Sequence, residues 1–340
     1  MPPTLLLIRH AQALHNVASD WSLHDPPLSE LGERQCAELQ ESLKKTEIAD
    51  RVELVVVSSM RRTLQTASLS LEFLIGPGGK GIPVMPDAGW QGRLCGLFSF
   101  MFGGGYDAFA FPFCYCRFIC RVFSCLPSSV STSPRFRLPE HLALTSTLIL
   151  TAQENADKPC DTGSPISVME KEFPNFDFSP VDPNYPDKTT NLSSNPYAFT
   201  RKAILARGQT CLRNLYSRPE KVIAVVSHSG FLRTAVCHRR FFNADWRVFD
   251  FDEEAMKESK EKGEGEFLLK EWKETEENGG GMGRSEKGIV AVLSTDFPPE
   301  EEVDGEGAEQ VPEDGKEKEV VPQWMRREQF QKEESLKASC

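Results

Sequence analysis

Three short apolar runs, each leading into basic residues, constrain this chain more than any other feature. The first, Leu5-Leu6-Leu7-Ile8, passes straight into Arg9-His10. The second, Leu54-Val55-Val56-Val57, enters Ser58-Ser59-Met60-Arg61-Arg62. The third, Val222-Ile223-Ala224-Val225-Val226, runs into Ser227-His228-Ser229-Gly230. Runs this short do not make helices and read as buried strands bounded by polar turns. Each strand then delivers a cation or an imidazole at its carboxyl end, the edge where open α/β sheets bind ligands.

The intervening segments supply helices. Ser29 is an expected N-cap for a helix through about Lys45, with Cys36, Leu39 and Leu43 at helical spacing on one face. A second helix is expected from about Met60 to Ile75, closed by Gly76-Pro77-Gly78-Gly79. Ile82–Met85 reads as a short third strand, Pro196 to about Ser217 as a helix, and Trp246–Phe251 as a final strand.

A net charge of -11 argues against nucleic acid as a partner, because phosphate backbones need basic surface. A small phosphorylated ligand is not excluded, since one pocket can be cationic on an acidic protein. The first residues, Met1-Pro2-Pro3-Thr4, carry no secretory signal, so the cytoplasm is the expected location. Ten cysteines, five of them between Cys95 and Cys125, are then read as reduced thiols. No Cys/His spacing looks like a zinc site, and neither metal nor cofactor is expected.

Taken together, Arg9-His10, Asn16, Asp25-Pro26-Pro27-Leu28-Ser29 with Gly32, the Ser58–Ala67 block and Ser227-His228-Ser229-Gly230 resemble the histidine phosphatase superfamily, also called phosphoglycerate mutase-like. The resemblance covers residues 4 to about 235. It implies an α/β three-layer sandwich with a mostly parallel central sheet and helices on both faces. It also implies His10 as nucleophile and His228, if protonated, as a further donor. Arg9, Asn16, Arg62 and Ser229 would bind the phosphoryl group. Glu154, in Gln153-Glu154-Asn155, would be the general acid, with Asp87 in reserve. The chemistry fits these residue types: a neutral imidazole is nucleophilic, and arginine forks match phosphate oxygens. Taken singly, His228 reads equally as a core histidine and Arg62 as a surface helix arginine, as Arg61 is expected to be. His15, His24, His141 and His238 lack motif support and are read as structural or surface.

The chain departs from the family pattern at Ala11, where Gly is usual, and at Gln12, where Glu is frequent. It also lacks the Glu-Arg-His-Tyr-Gly and Arg-Arg-Ser stretches of cofactor-dependent mutases. A phosphomonoesterase acting through phosphohistidine on a small substrate is therefore expected. A phosphoglycerate mutase and an inactive phospho-ligand-binding protein are the alternatives.

Residues 92–153 break character. They are rich in Phe, Cys and Gly, then in Ser and Pro, without a sustained period. Pro112, Arg117 and Arg121 interrupt the apolar stretch Ala108–Leu126, which argues against a membrane span. A surface lid is one reading. A retained intron is the preferred one, because joining Trp90-Gln91 to Glu154-Asn155 yields a sequence resembling fungal members of the family. The expected organisation is thus 1–91 and 154–251 as the phosphatase domain, 92–153 as an insertion, and 252–340 as an acidic, largely disordered tail. Within that tail, Gly288–Ser294 is a possible extra edge strand. The oligomeric state is not specified by these features.

Overall fold

The computed structural model describes residues 1–91, 158–188 and 194–297. The first strand, β1 (Thr4–Arg9), is followed by a short helix α1 (Leu14–Ala18) and by α2 (Glu30–Leu43). After α3 (Glu47–Asp50) come β2 (Leu54–Ser58), α4 (Arg61–Ser70), α5 (Glu72–Ile75) and β3 (Val84–Asp87). Beyond residue 157 lie α6 (Ile166–Glu172), α7 (Arg201–Tyr216) and β4 (Val222–Ser227). A short α8 (Ser229–Phe231) continues as a π-helical turn over Leu232–Val236. The last elements are β5 (Trp246–Phe251), α9 (Glu253–Glu261), β6 (Leu269–Glu271) and α10 (Lys273–Asn278).

The strands form one six-stranded sheet in the order β3-β2-β4-β1-β5-β6. β3, β2, β4 and β1 run parallel, and β5 and β6 join antiparallel. The expected mostly parallel sandwich is the observed one. β2 and β4 are buried at every position, because a parallel sheet covered on both faces leaves no side for water. One face packs Leu6, Ile8, Val55 and Val57 against Leu39 and Leu43 of α2 and Leu64 and Ala67 of α4. The other packs Leu5, Leu7, Val56 and Val225 against Leu212 and Leu215 of α7 and Phe231 of α8. At about 1.5–3 kcal/mol per fully buried large apolar side chain, these layers supply most of the drive to fold.

Several local expectations hold in detail. Ser29 caps α2, its hydroxyl accepting the Gly32 N–H at 3.1 Å. Gly32 is required there, because a Cβ would lie 2.0 Å from the Gln12 carbonyl oxygen. β3 begins two residues later than expected and carries Pro86, which an edge strand tolerates.

The acidic stretch after residue 252 requires a correction. Through residue 297 it is not a disordered tail: α9 and α10 form, and β6 pairs with β5. Its carboxylates neutralise arginines of the preceding chain. Arg239 and Arg247 both meet Glu271, Arg240 meets Glu286, and Arg233 pairs with Asp296. Charge composition alone marks such a stretch as solvated, since it does not show where opposite charges will stand. Gly288–Ser294 makes no strand; its Val290 N–H donates to the His238 carbonyl at 3.0 Å. The expected insertion at 92–153 and residues 298–340 of the expected tail lie outside the described residues. Among the described residues, no helix is long and apolar enough to cross a membrane.

Candidate active site

The basic residues at the strand ends converge as expected. His10 leaves β1 with its backbone held on several sides. Its N–H donates to the Ser227 carbonyl at 3.0 Å, and its own carbonyl accepts from Asn243 Nδ2 and the Ala244 N–H. The next N–H, of Ala11, donates to Thr66 Oγ1 on α4 at 3.0 Å. This turn is therefore tied to β4, α4 and the loop before β5, which removes freedom from the imidazole it carries.

His10 Nδ1 lies 2.7 Å from the Ala11 carbonyl oxygen. A carbonyl only accepts, so Nδ1 bears the proton and Nε2 presents its lone pair. Burial pushes the His10 pKa well below the usual 6.5, followed by the charges of Arg62, Arg9 and His15; the Ala11 bond acts the other way. The ring is neutral and nucleophilic at physiological pH.

His228 stands opposite, its ring centroid 5.1 Å from that of His10. Its Nε2 lies 3.0 Å from Ser58 Oγ, at the end of β2. Burial, then Arg62 and His10, lower its pKa well below the usual 6.5. Its Nδ1 is buried without a partner.

Arg9 donates through Nη1 to the Phe241 carbonyl at 2.7 Å. Ser229 Oγ donates to the same oxygen at 3.3 Å, placing Ser229 beside Arg9. Burial and the neighbouring Arg62 and Arg240 charges bring Arg9 down to about 10, which leaves it charged. Arg62, 1 % exposed, donates through Nη1 to the Cys160 carbonyl at 2.7 Å and through Nη2 to Asp161 Oδ1 at 3.4 Å. The Nε atoms of Arg9 and Arg62 are buried and unpartnered, like His228 Nδ1. A buried donor left unmade costs about 1–3 kcal/mol, so several in one place call for an acceptor-rich ligand. With Arg9 charged beside Arg62 and two histidines of lowered pKa, the cluster suits an anionic group.

Asn16 accepts the Ala13 N–H through Oδ1 at 3.1 Å, and its Nδ2 meets His15 Nε2 at 3.0 Å. His15 is completely buried, 6.2 Å from the His10 ring. Its only sequence signal was adjacency to Asn16. Ser58, Phe241, Asn243 and the Cys160–Asp161 turn were also missed, since each enters by a contact distant in sequence. Arg61 is not a free surface arginine. Its Nε bonds both oxygens of Glu172, and its Nη1 and backbone N–H bond Asp25. Buried Asp25, at φ +40°, also accepts the Ser164 N–H, tying the 158–164 segment to the start of α4. Asp87 caps the following turn through the Gly89 N–H, and burial raises its pKa. Glu154 and His141 fall outside the described residues, and His24 is exposed.

Residues 5–92 match the family model of the histidine phosphatase superfamily (branch 1). Phosphoglycerate mutase-like protein 1 of Arabidopsis thaliana is 29% identical over 238 residues, covering 67% of this chain and 69% of the relative. Phosphoglycerate mutase-like protein 2 of the same plant is 30% identical over 237 residues, covering 67% and 64%. A Schizosaccharomyces pombe protein named "Probable phosphatase" is 24% identical over 234 residues, covering 68% and 76%. With its sequence blocks gathered at one sheet edge around His10, the chain is similar to the histidine phosphatase superfamily, whose family model its residues 5–92 match.

Proposed function

We propose that this protein is a phosphomonoesterase that works through a phosphohistidine on a small phosphorylated substrate. One observation carries the reading: His10 is held as the Nδ1–H tautomer, its Nε2 free, among buried donors that lack acceptors. In the proposed sequence, Nε2 attacks phosphorus while Arg9, Arg62, Asn16 and His228 hold the non-bridging oxygens, with Ser229 beside Arg9. Positioning and charge stabilisation are the main demands of phosphoryl transfer. Glu154 donates a proton to the leaving alkoxide. It then takes one from water, which attacks the phosphohistidine to release inorganic phosphate and regenerate His10. The departures at Ala11 and Gln12 favour hydrolysis over mutase chemistry. The names of the plant relatives favour the mutase as the second reading.

The 92–153 stretch is proposed as an insertion in this enzyme. Its flanks support that, because both stand at the site: Ser227 Oγ bonds the Trp90 carbonyl, and Arg62 bonds the Cys160 carbonyl.

The test is hydrolysis of an aryl phosphate by the full chain, a chain lacking 92–153, and His10→Ala in each. Activity that His10→Ala abolishes is expected, and the shortened chain should be at least as active as the full one. Turnover by neither folded form would overturn the phosphatase reading. Turnover of phosphoglycerate only with a bisphosphoglycerate primer would establish the mutase instead.

A further inference from the structure

Beside His10 stands an imidazole that this mechanism leaves without a task. His15 is completely buried, its ring 6.2 Å from His10 and 5.7 Å from Trp21. Its contact with Asn16 has a determined polarity. Asn16 Oδ1 must be the atom that accepts the Ala13 N–H, so the amide nitrogen must be the atom facing His15. An amide nitrogen donates and does not accept. His15 Nε2 is therefore the acceptor, and the proton of the neutral ring sits on Nδ1, which is buried and unpartnered. The Asn16 amide carries two hydrogens; one is held by His15 and the other remains for a ligand.

We propose that His15 is a positioning residue for phosphate recognition: by accepting one Asn16 amide hydrogen at Nε2, it directs the other toward the phosphoryl oxygens. The proposal rests on the phosphate-binding reading of the site. Without the imidazole, the Asn16 amide would keep its Ala13 bond but lose the second restraint that fixes its plane. The charged and titratable groups around His15 are Arg62, Arg9, His10 and His228, all cationic or neutral. Burial first, then Arg62 and Arg9, bring its pKa to about 3, so the acceptor persists through neutral and mildly acidic pH.

Two measurements on the full chain test this. In histidine-selective 15N NMR at pH 6, His15 should be uncharged with its proton on Nδ1. A proton on Nε2, or an imidazolium, would overturn the proposal whether or not phosphate binds. The second measurement is the affinity for inorganic phosphate in His15→Phe, His15→Gln and Asn16→Ala. His15→Phe keeps the ring volume without the acceptor and should weaken binding about tenfold, the worth of one hydrogen bond to a charged group. His15→Gln offers a carbonyl oxygen and should restore most of the loss. In the Asn16→Ala background, His15→Phe should cost nothing more. Equal losses for Phe and Gln, or an additive double variant, would reduce His15 to a packing residue and overturn the proposal. Failure of the unaltered chain to bind phosphate would sink the reading of the site, while the tautomer still decides whether His15 holds Asn16.

Discussion

Two arginine clusters in this protein, each with a buried member, are built to opposite plans. At the carboxyl end of β1, Arg9 and Arg62 stand among neutral histidines, with Asp161 3.4 Å from Arg62 as the neighbouring carboxylate. Against β5, Arg239 and Arg247 each lie 2.7 Å from Glu271, and no side chain of that trio is more than 7 % exposed. Arg239 reaches Glu276 as well, and Arg247 donates to the carbonyls of Arg240 and Glu286. Burial of arginine is common to both, so burial does not separate a ligand site from a structural one. The counter-charge does. In the second cluster the protein supplies its own anions and the result is fixed structure. In the first, Asp161 is the one carboxylate paired with an arginine among the described residues, and the Nε atoms of Arg9 and Arg62 are left unpartnered, which suits the proposed phosphate ligand.

Substitutions should pull the two clusters apart. The largest effect is expected at the first: His10→Ala should reduce aryl phosphate hydrolysis by at least about 10³-fold, the scale of removing a nucleophile, while phosphate still binds. Retained turnover would deny His10 that role. In the second cluster, Glu271→Ala should destabilise the fold by about 3–5 kcal/mol in urea unfolding, because two buried guanidinium groups lose their shared partner. Arg9→Met should change stability by less than about 1 kcal/mol, yet weaken phosphate binding about 100-fold. If both substitutions cost stability alike, the contrast between the clusters is wrong.

Acid should sharpen the contrast further. His15 and His238 are brought by burial, foremost, to about 3, and His10 and His228 well below 6.5. Below about pH 6.5 the unfolded chain takes up protons at these positions and the folded chain does not, so stability falls as pH drops. Each adds to that loss down to its folded pKa. Urea unfolding between pH 7 and pH 5 should show it, and His15→Gln should make the slope shallower. The smallest effect concerns the brace behind the site. Ser285 Oγ donates to Asp245 and accepts the Phe242 N–H, beside the Phe241 carbonyl that holds Arg9. Ser285→Ala should cost about 1 kcal/mol, with little change in turnover.

Much of this was legible before the fold was known, and the illegible parts have a common cause. The three strands, the Ser29 cap and the final strand Trp246–Phe251 rest on local patterns that the sheet later enforces. Arg9, His10 and His228 were legible as candidates because they sit at strand ends, and Arg62 because it lies on the first turn of the helix that follows one. Arg61 was misread, because its partners Asp25 and Glu172 are 36 and 111 residues away. The ordered stretch through residue 297 was misread for the same reason: a run rich in Glu looks solvated until the arginines it neutralises are seen.

The sequence by itself therefore determined the buried strands, the direction in which they deliver their basic residues, and His10 as the candidate imidazole. Periodicity and strand polarity are properties of neighbours along the chain, so they survive without a fold. Only the tertiary structure decided which nitrogen of His10 is free, that His228 and His15 are neutral, and which arginines are satisfied by carboxylates. Those are decided by burial and by partners distant in sequence, because a carbonyl, a second guanidinium or the exclusion of water acts only once the chain has closed around it.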